Sequence, residues 1–129
     1  MRPTDAVSPA ALEAADHDLG PLAWVLDELR KSLDGAIKAM RRHVHEASLS
    51  HGAELGSADV SALRLARQQM HQATGALEMV GMAPVALMMR ALEAMAQKFI
   101  QTPSSCTPDT IGLIERASFA ISEYLEAVL

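Results

Sequence analysis

Five histidines and one cysteine are the side chains of this 129-residue chain best suited to bind a metal or act as a nucleophile near neutral pH. The closest pair, His43 and His45, would diverge by about 200° on a helix and could not chelate one ion. Di-iron helix bundles use Glu-x-x-His to put a carboxylate and an imidazole on one inward face, and the chain contains no such sequence. It also lacks the Cys-x-x-Cys-His of covalent haem attachment. These patterns argue against a metal or haem centre. His17, His43, His45 and His51 read as solvent-facing polar residues. His71 differs in its surroundings. It lies in QMHQATGALEMVGM, residues 69–82, where helical periodicity puts it about 140° from a core stripe centred on Met70 and Leu77. It therefore faces outward, with Arg67, Gln68 and Gly75 one turn away and Arg64 and Glu78 two turns away. A glycine inside a helix costs about 1 kcal/mol relative to alanine, and Gly75 clears the surface directly after the imidazole. An exposed imidazole with a cleared approach suits a nucleophile that must meet something large. A surface histidine beside a chance glycine is the alternative that spacing alone leaves open.

The elements that must hold this residue are helical. Apolar residues at 22, 25, 26, 29, 33, 36, 37, 40, 44 and 47 make a stripe over residues 21–47. Residues 48–58, SLSHGAELGSA, lose the pattern and read as a loop. A second helix over 58–81, capped by Asp59 or Ser57, has Leu63, Ala66, Met70, Ala73, Leu77 and Val80 inward. Gly81 and Pro84 mark a tight break. The third helix, 84–100, offers Val85, Met88, Met89, Leu92, Met95, Ala96 and Phe99. QTPSSCTP is a loop, and Thr107 caps a fourth helix over 108–128 with Ile111, Ile114, Ser118, Ile121, Leu125 and Val128 inward. Upstream, residues 1–20 read as an arm with a possible short helix at 9–16, broken from the rest by Gly20-Pro21. The expected architecture is an all-α, antiparallel four-helix bundle.

Composition agrees. Half the residues are hydrophobic but only 3% aromatic, so Ala, Leu, Met, Val and Ile supply the apolar mass and strand-forming runs are missing. A formal net charge of −5 argues against a nucleic-acid partner, because phosphate backbones require clustered Lys and Arg. No apolar run reaches membrane-spanning length, and residues 1–20 lack the basic start and apolar block of a secretory signal. The single cysteine, Cys106, fits a reducing compartment, so a cytoplasmic location is expected. The ending SEYLEAVL keeps its helical rhythm without a stop signal, as a module of a longer polypeptide would. Trp24 and Phe119 fall off their core stripes, with the N-terminal arm expected to cover Trp24. Most of the eight methionines fall on core stripes.

HQATGA resembles the His-x-x-Lys-Gly-(Ser/Ala/Gly) signature of histidine-containing phosphotransfer domains, four-helix bundles whose exposed second-helix histidine carries a phosphoryl group. The resemblance implies that His71 is the phospho-acceptor, that Gly75 is the family glycine and that Glu93, in RALEAM, hydrogen-bonds the imidazole and orients it. PLAWVLDEL, HQATGALEMV and ALEAMAQ are similar to the amino-terminal module of CheA-like hybrid histidine kinases of the PilL/ChpA type, which control type IV pili and twitching motility. The implied partners are a response-regulator receiver domain and a kinase catalytic domain. No cofactor would belong to the module itself, since ATP and Mg²⁺ would sit in those partners. The chain departs from the signature at Thr74, where the family has lysine; Arg67 or Arg90 could supply the missing cation. A module that has lost its chemistry and only binds is the rival expectation, and the outward Trp24 and Phe119 suit it.

Overall fold

Three of the four long helices begin or end on signals legible in the sequence, and the first overruns its own. The computed structural model describes residues 9–49 and 59–129, with side chains from residue 20 onward in the first helix. Helix α1 spans Pro9–Leu49 without interruption, so the expected break at Gly20-Pro21 is absent. Proline inside a helix forfeits the bond to the carbonyl four residues back, here His17, and costs about 3 kcal/mol. It does not forbid the helical path, and the Ala- and Leu-rich run 10–19 on its N-terminal side has the propensity to continue it. Ser57 and most of the expected loop 48–58 lie outside the described residues.

Helix α2 spans Ser61–Met79, with Val60 rather than Asp59 at the cap position and no capping side-chain bond from it. Asp59 acts one residue earlier: its Oδ1 accepts from the Ser61 backbone N–H at 2.9 Å and from the Ser61 hydroxyl at 2.6 Å. These bonds hold the exposed Asp59 carboxyl below its usual range, with nearby His43 adding to the effect. At the other end of α2, Gly81 has φ 78°, the left-handed region that only glycine enters cheaply. Its N–H donates to the Glu78 carbonyl and that of Met82 to Leu77, the paired bonds of a Schellman ending. The chain turns directly into α3, Ala83–Gln101, with Pro84 in its first turn. A short 3₁₀ turn, Pro103–Ser105, leads to α4, Pro108–Val128. Thr107 caps α4 as expected, accepting from the Thr110 N–H while Thr110 Oγ1 accepts from the Thr107 N–H.

The helices form an all-α four-helix bundle. Pairing of Arg30 with Glu126 and of Arg41 with Glu115 at 2.8 Å runs α1 and α4 in opposite directions, and residues 71–93 fold α2 and α3 back on each other. The core is built from Leu29, Met40, Leu63, Met70, Leu77, Met89, Ile111, Ile114 and Leu125. The expected stripes hold with four corrections, the first being that Ala47, expected inward near the end of α1, is exposed. His43, read as solvent-facing, is buried: it stands three residues after Met40, on the same arc of α1. Met88 and Val128, expected inward, are exposed. Packing is extensive between α1 and α2, α2 and α3, and α1 and α4, but slight between α3 and α4, where Met88 lies. No helix among the described residues is long and apolar enough to cross a membrane.

Candidate functional site

His71 stands in the middle of α2 with its side chain 74% exposed. Its position on the helix explains this: Met70, Ala73 and Leu77 take the core side, leaving residue 71 on the flank nearest α3. The Schellman turn sets how far α3 climbs back along α2, and that register brings Glu93 opposite His71. Glu93 Oε1 lies 2.7 Å from His71 Nδ1, and its side chain is only 15% exposed. A carboxylate can only accept, so in the neutral ring Nδ1 carries the proton and Nε2 keeps its lone pair. The imidazole is thus a directed base, held from behind and open in front.

Thr74 joins these two groups. It is 2% exposed, and its Oγ1 lies 2.9 Å from Glu93 Oε2 and 2.9 Å from the Met70 carbonyl oxygen. The residue at the lysine position of the resemblance therefore points into the α2–α3 seam, away from the surface around Nε2. Gly75, one turn after His71, has open space where a Cβ would project, with no heavy atom within 4 Å. No close neighbour inside the bundle requires a glycine at this position.

The charged residues fall into two groups. Arg90 on α3 is ion-paired with Glu78 on α2, so neither is a free charge beside His71. Arg64 and Gln68 are exposed on α2. Arg67 is half-buried one turn before His71, and its Nε has no hydrogen-bond partner among the described residues. Of the two arginines that could replace the lysine, Arg67 is the one without an ion-pair partner among the described residues. Among the described residues, no three His, Cys, Asp or Glu side chains cluster as metal ligands would.

Hollows also lie elsewhere among the described residues. One of about 290 Å³ is bordered by Arg41, Val44, His45 and Pro108, where α1 meets the start of α4. Another, about 380 Å³ and apolar, follows the α3–α4 seam along Met88, Ala91, Ala117, Ala120 and Tyr124. Trp24 is 59% and Phe119 68% exposed, both outward as expected; the arm side chains expected to cover Trp24 lie outside the described residues. Sequence reasoning missed the inward aim of Thr74, although Thr74 lies four residues after Met70 and three before Leu77, within the core stripe. It also missed half-exposed Tyr124. No protein-family model matches this chain, and no curated protein or solved structure does.

Proposed function

We propose that the bundle is a histidine phosphotransfer module in which His71 accepts a phosphoryl group and passes it on. The observation that carries this reading is the His71–Glu93 pair: an exposed Nε2 whose opposite ring nitrogen is held at 2.7 Å by a largely buried carboxylate. Nε2 would attack the phosphorus of ATP or of an aspartyl phosphate. The N–P bond forms as the P–O bond breaks, and ADP or the aspartate carboxylate leaves. The Nδ1 proton stays in place, and Glu93 offsets the positive charge that develops on the ring. Such transfer needs in-line positioning and charge neutralisation more than covalent chemistry by the protein, which suits an imidazole on a rigid helix pair. Arg67 is the side chain proposed to meet the phosphoryl oxygens. ATP and Mg²⁺ would be supplied by a kinase domain and a receiver domain. The receiver proposed is one of a chemotaxis-like system governing type IV pili, because the flanking segments resemble modules of such kinases.

The test is acid-labile ³²P labelling by the cognate kinase core. Wild type should take label and His71→Gln none. No label on wild type, with the kinase active on another module, overturns the reading. Replacing Glu93 by Gln should slow labelling on the order of 10–100-fold, the cost seen when the carboxylate behind a metal-ligating histidine is lost.

A second reading, an interaction module without chemistry, is favoured by the burial of Thr74 and by the exposed Trp24 and Phe119. It expects His71→Gln to leave partner affinity unchanged while Trp24→Ala or Phe119→Ala weakens it.

A further inference from the structure

The Thr74 hydroxyl has one proton and two acceptors at the same distance, Glu93 Oε2 and the Met70 carbonyl, both at 2.9 Å. The Met70 carbonyl lies within α2, where the backbone N–H of residue 74 already supplies its helical donor. Glu93 Oε2 has no such provision. A hydrogen bond to a carboxylate is roughly twice as strong as one to a neutral acceptor. The proton therefore goes to Glu93, and contact with the Met70 carbonyl fixes the χ1 of a β-branched side chain that has few alternatives. Nearby Arg90 is already engaged by Glu78.

We infer that Thr74 is a positioning residue for His71, its hydroxyl gripping one oxygen of Glu93 so that the other is fixed on the Nδ1 proton of the imidazole. The terminal torsion of a glutamate is broad and would leave its carboxylate free to turn. With Thr74 on one oxygen and His71 on the other, that torsion is pinned. The ring is then kept in the tautomer that leaves Nε2 bare before any partner arrives. The departure from lysine at this position is on this account a change of device: the residue there grips Glu93 behind the imidazole, and the cation in front falls to Arg67. Threonine meets the requirement and so does serine, whereas valine has the same shape without the donor.

The inference rests on the phosphotransfer reading for its purpose, but its test does not. The ¹⁵N shifts of the His71 ring, recorded where the ring is neutral, give the ratio of Nδ1–H to Nε2–H tautomers. In wild type and Thr74→Ser the Nδ1–H form should dominate. In Thr74→Val the ratio should fall about fivefold, the factor set by the loss of one net hydrogen bond. Thr74→Ala should do the same and serves if the valine variant does not fold. With kinase present, the labelling rate at saturation should fall in Thr74→Val and return in Thr74→Ser, with the apparent KM for the module unchanged. An unaltered tautomer ratio in both the valine and alanine variants overturns the inference, whether or not His71 takes phosphate. A wild-type protein that takes no phosphate, yet shows the tautomer shift on substitution, overturns the phosphotransfer reading and leaves the clamp standing.

Discussion

Helix α3 has two flanks, and they are built differently. Toward α2 it packs closely and carries polar groups in matched sets: Glu93 between His71 and Thr74, and Arg90 against Glu78. Toward α4 it makes little contact, and Met88, Ala91, Ala117, Ala120 and Tyr124 border an apolar groove. Alanines on both sides of that seam are too short to fill it, and Met88 and Tyr124, which border it, stay exposed. The difference shows where the fold spends its rigidity. The polar site lies on the flank whose geometry is fixed by packing and by a glycine turn. A misplacement of an ångström would matter to a hydrogen-bonded imidazole, whereas a loose apolar seam tolerates it.

The strongest test of this contrast compares neighbouring methionines. Met89 is fully buried and Met88 lines the groove, so Met89→Ala should cost about 2–5 kcal/mol in chemical denaturation and Met88→Ala less than about 1. Equal losses would mean that the α3–α4 seam is closed in solution and the contrast false. The next test uses Cys106, buried in the connection between α3 and α4, at one end of the looser flank. Burial pushes its thiol up from the usual 9.0 to about 11. Between those values the folded chain keeps a proton that the unfolded chain has released, so stability falls as pH rises from 9 to 11. The slope should be at most about 1.4 kcal/mol per pH unit, and Cys106→Val should remove it. A thiol that titrates at its ordinary value would make this end as open as the groove. The smallest effect belongs to Gly75→Ala. Nothing meets the added Cβ, so the helix should gain up to about 1 kcal/mol in its melting transition. Phosphotransfer to a docking receiver should slow all the same, and an unchanged rate would remove the docking role of this glycine.

The fold was legible in the sequence because each helix announces itself by a 3.6-residue stripe, and Thr107, Gly81 and Pro84 punctuate three of the ends. The length of α1 was not, because Gly20-Pro21 is a local stop signal that a helix can override at a cost no periodicity displays. His43 was misread because polarity was weighed above position. The outward aim of His71 followed from its angle on the wheel, but its partner did not. Which α3 residue stands opposite depends on how the chain turns, and only the family resemblance singled out Glu93. The same resemblance drew attention away from the inward aim of Thr74, since a lysine in its place would be expected to reach solvent.

His71 and Glu93 stand eleven residues on either side of Met82, the residue that completes the turn. Apart from Arg67 and the Met70 carbonyl, everything the site uses therefore lies within one helical hairpin, residues 71–93, folded symmetrically about its own hinge. Such a segment is portable. It could be grafted onto another pair of supporting helices, and insertions before Ser61 or after Gln101 would leave its alignment alone. One residue added to either arm would instead rotate that arm's remaining side chains by about 100° and separate the histidine from its carboxylate.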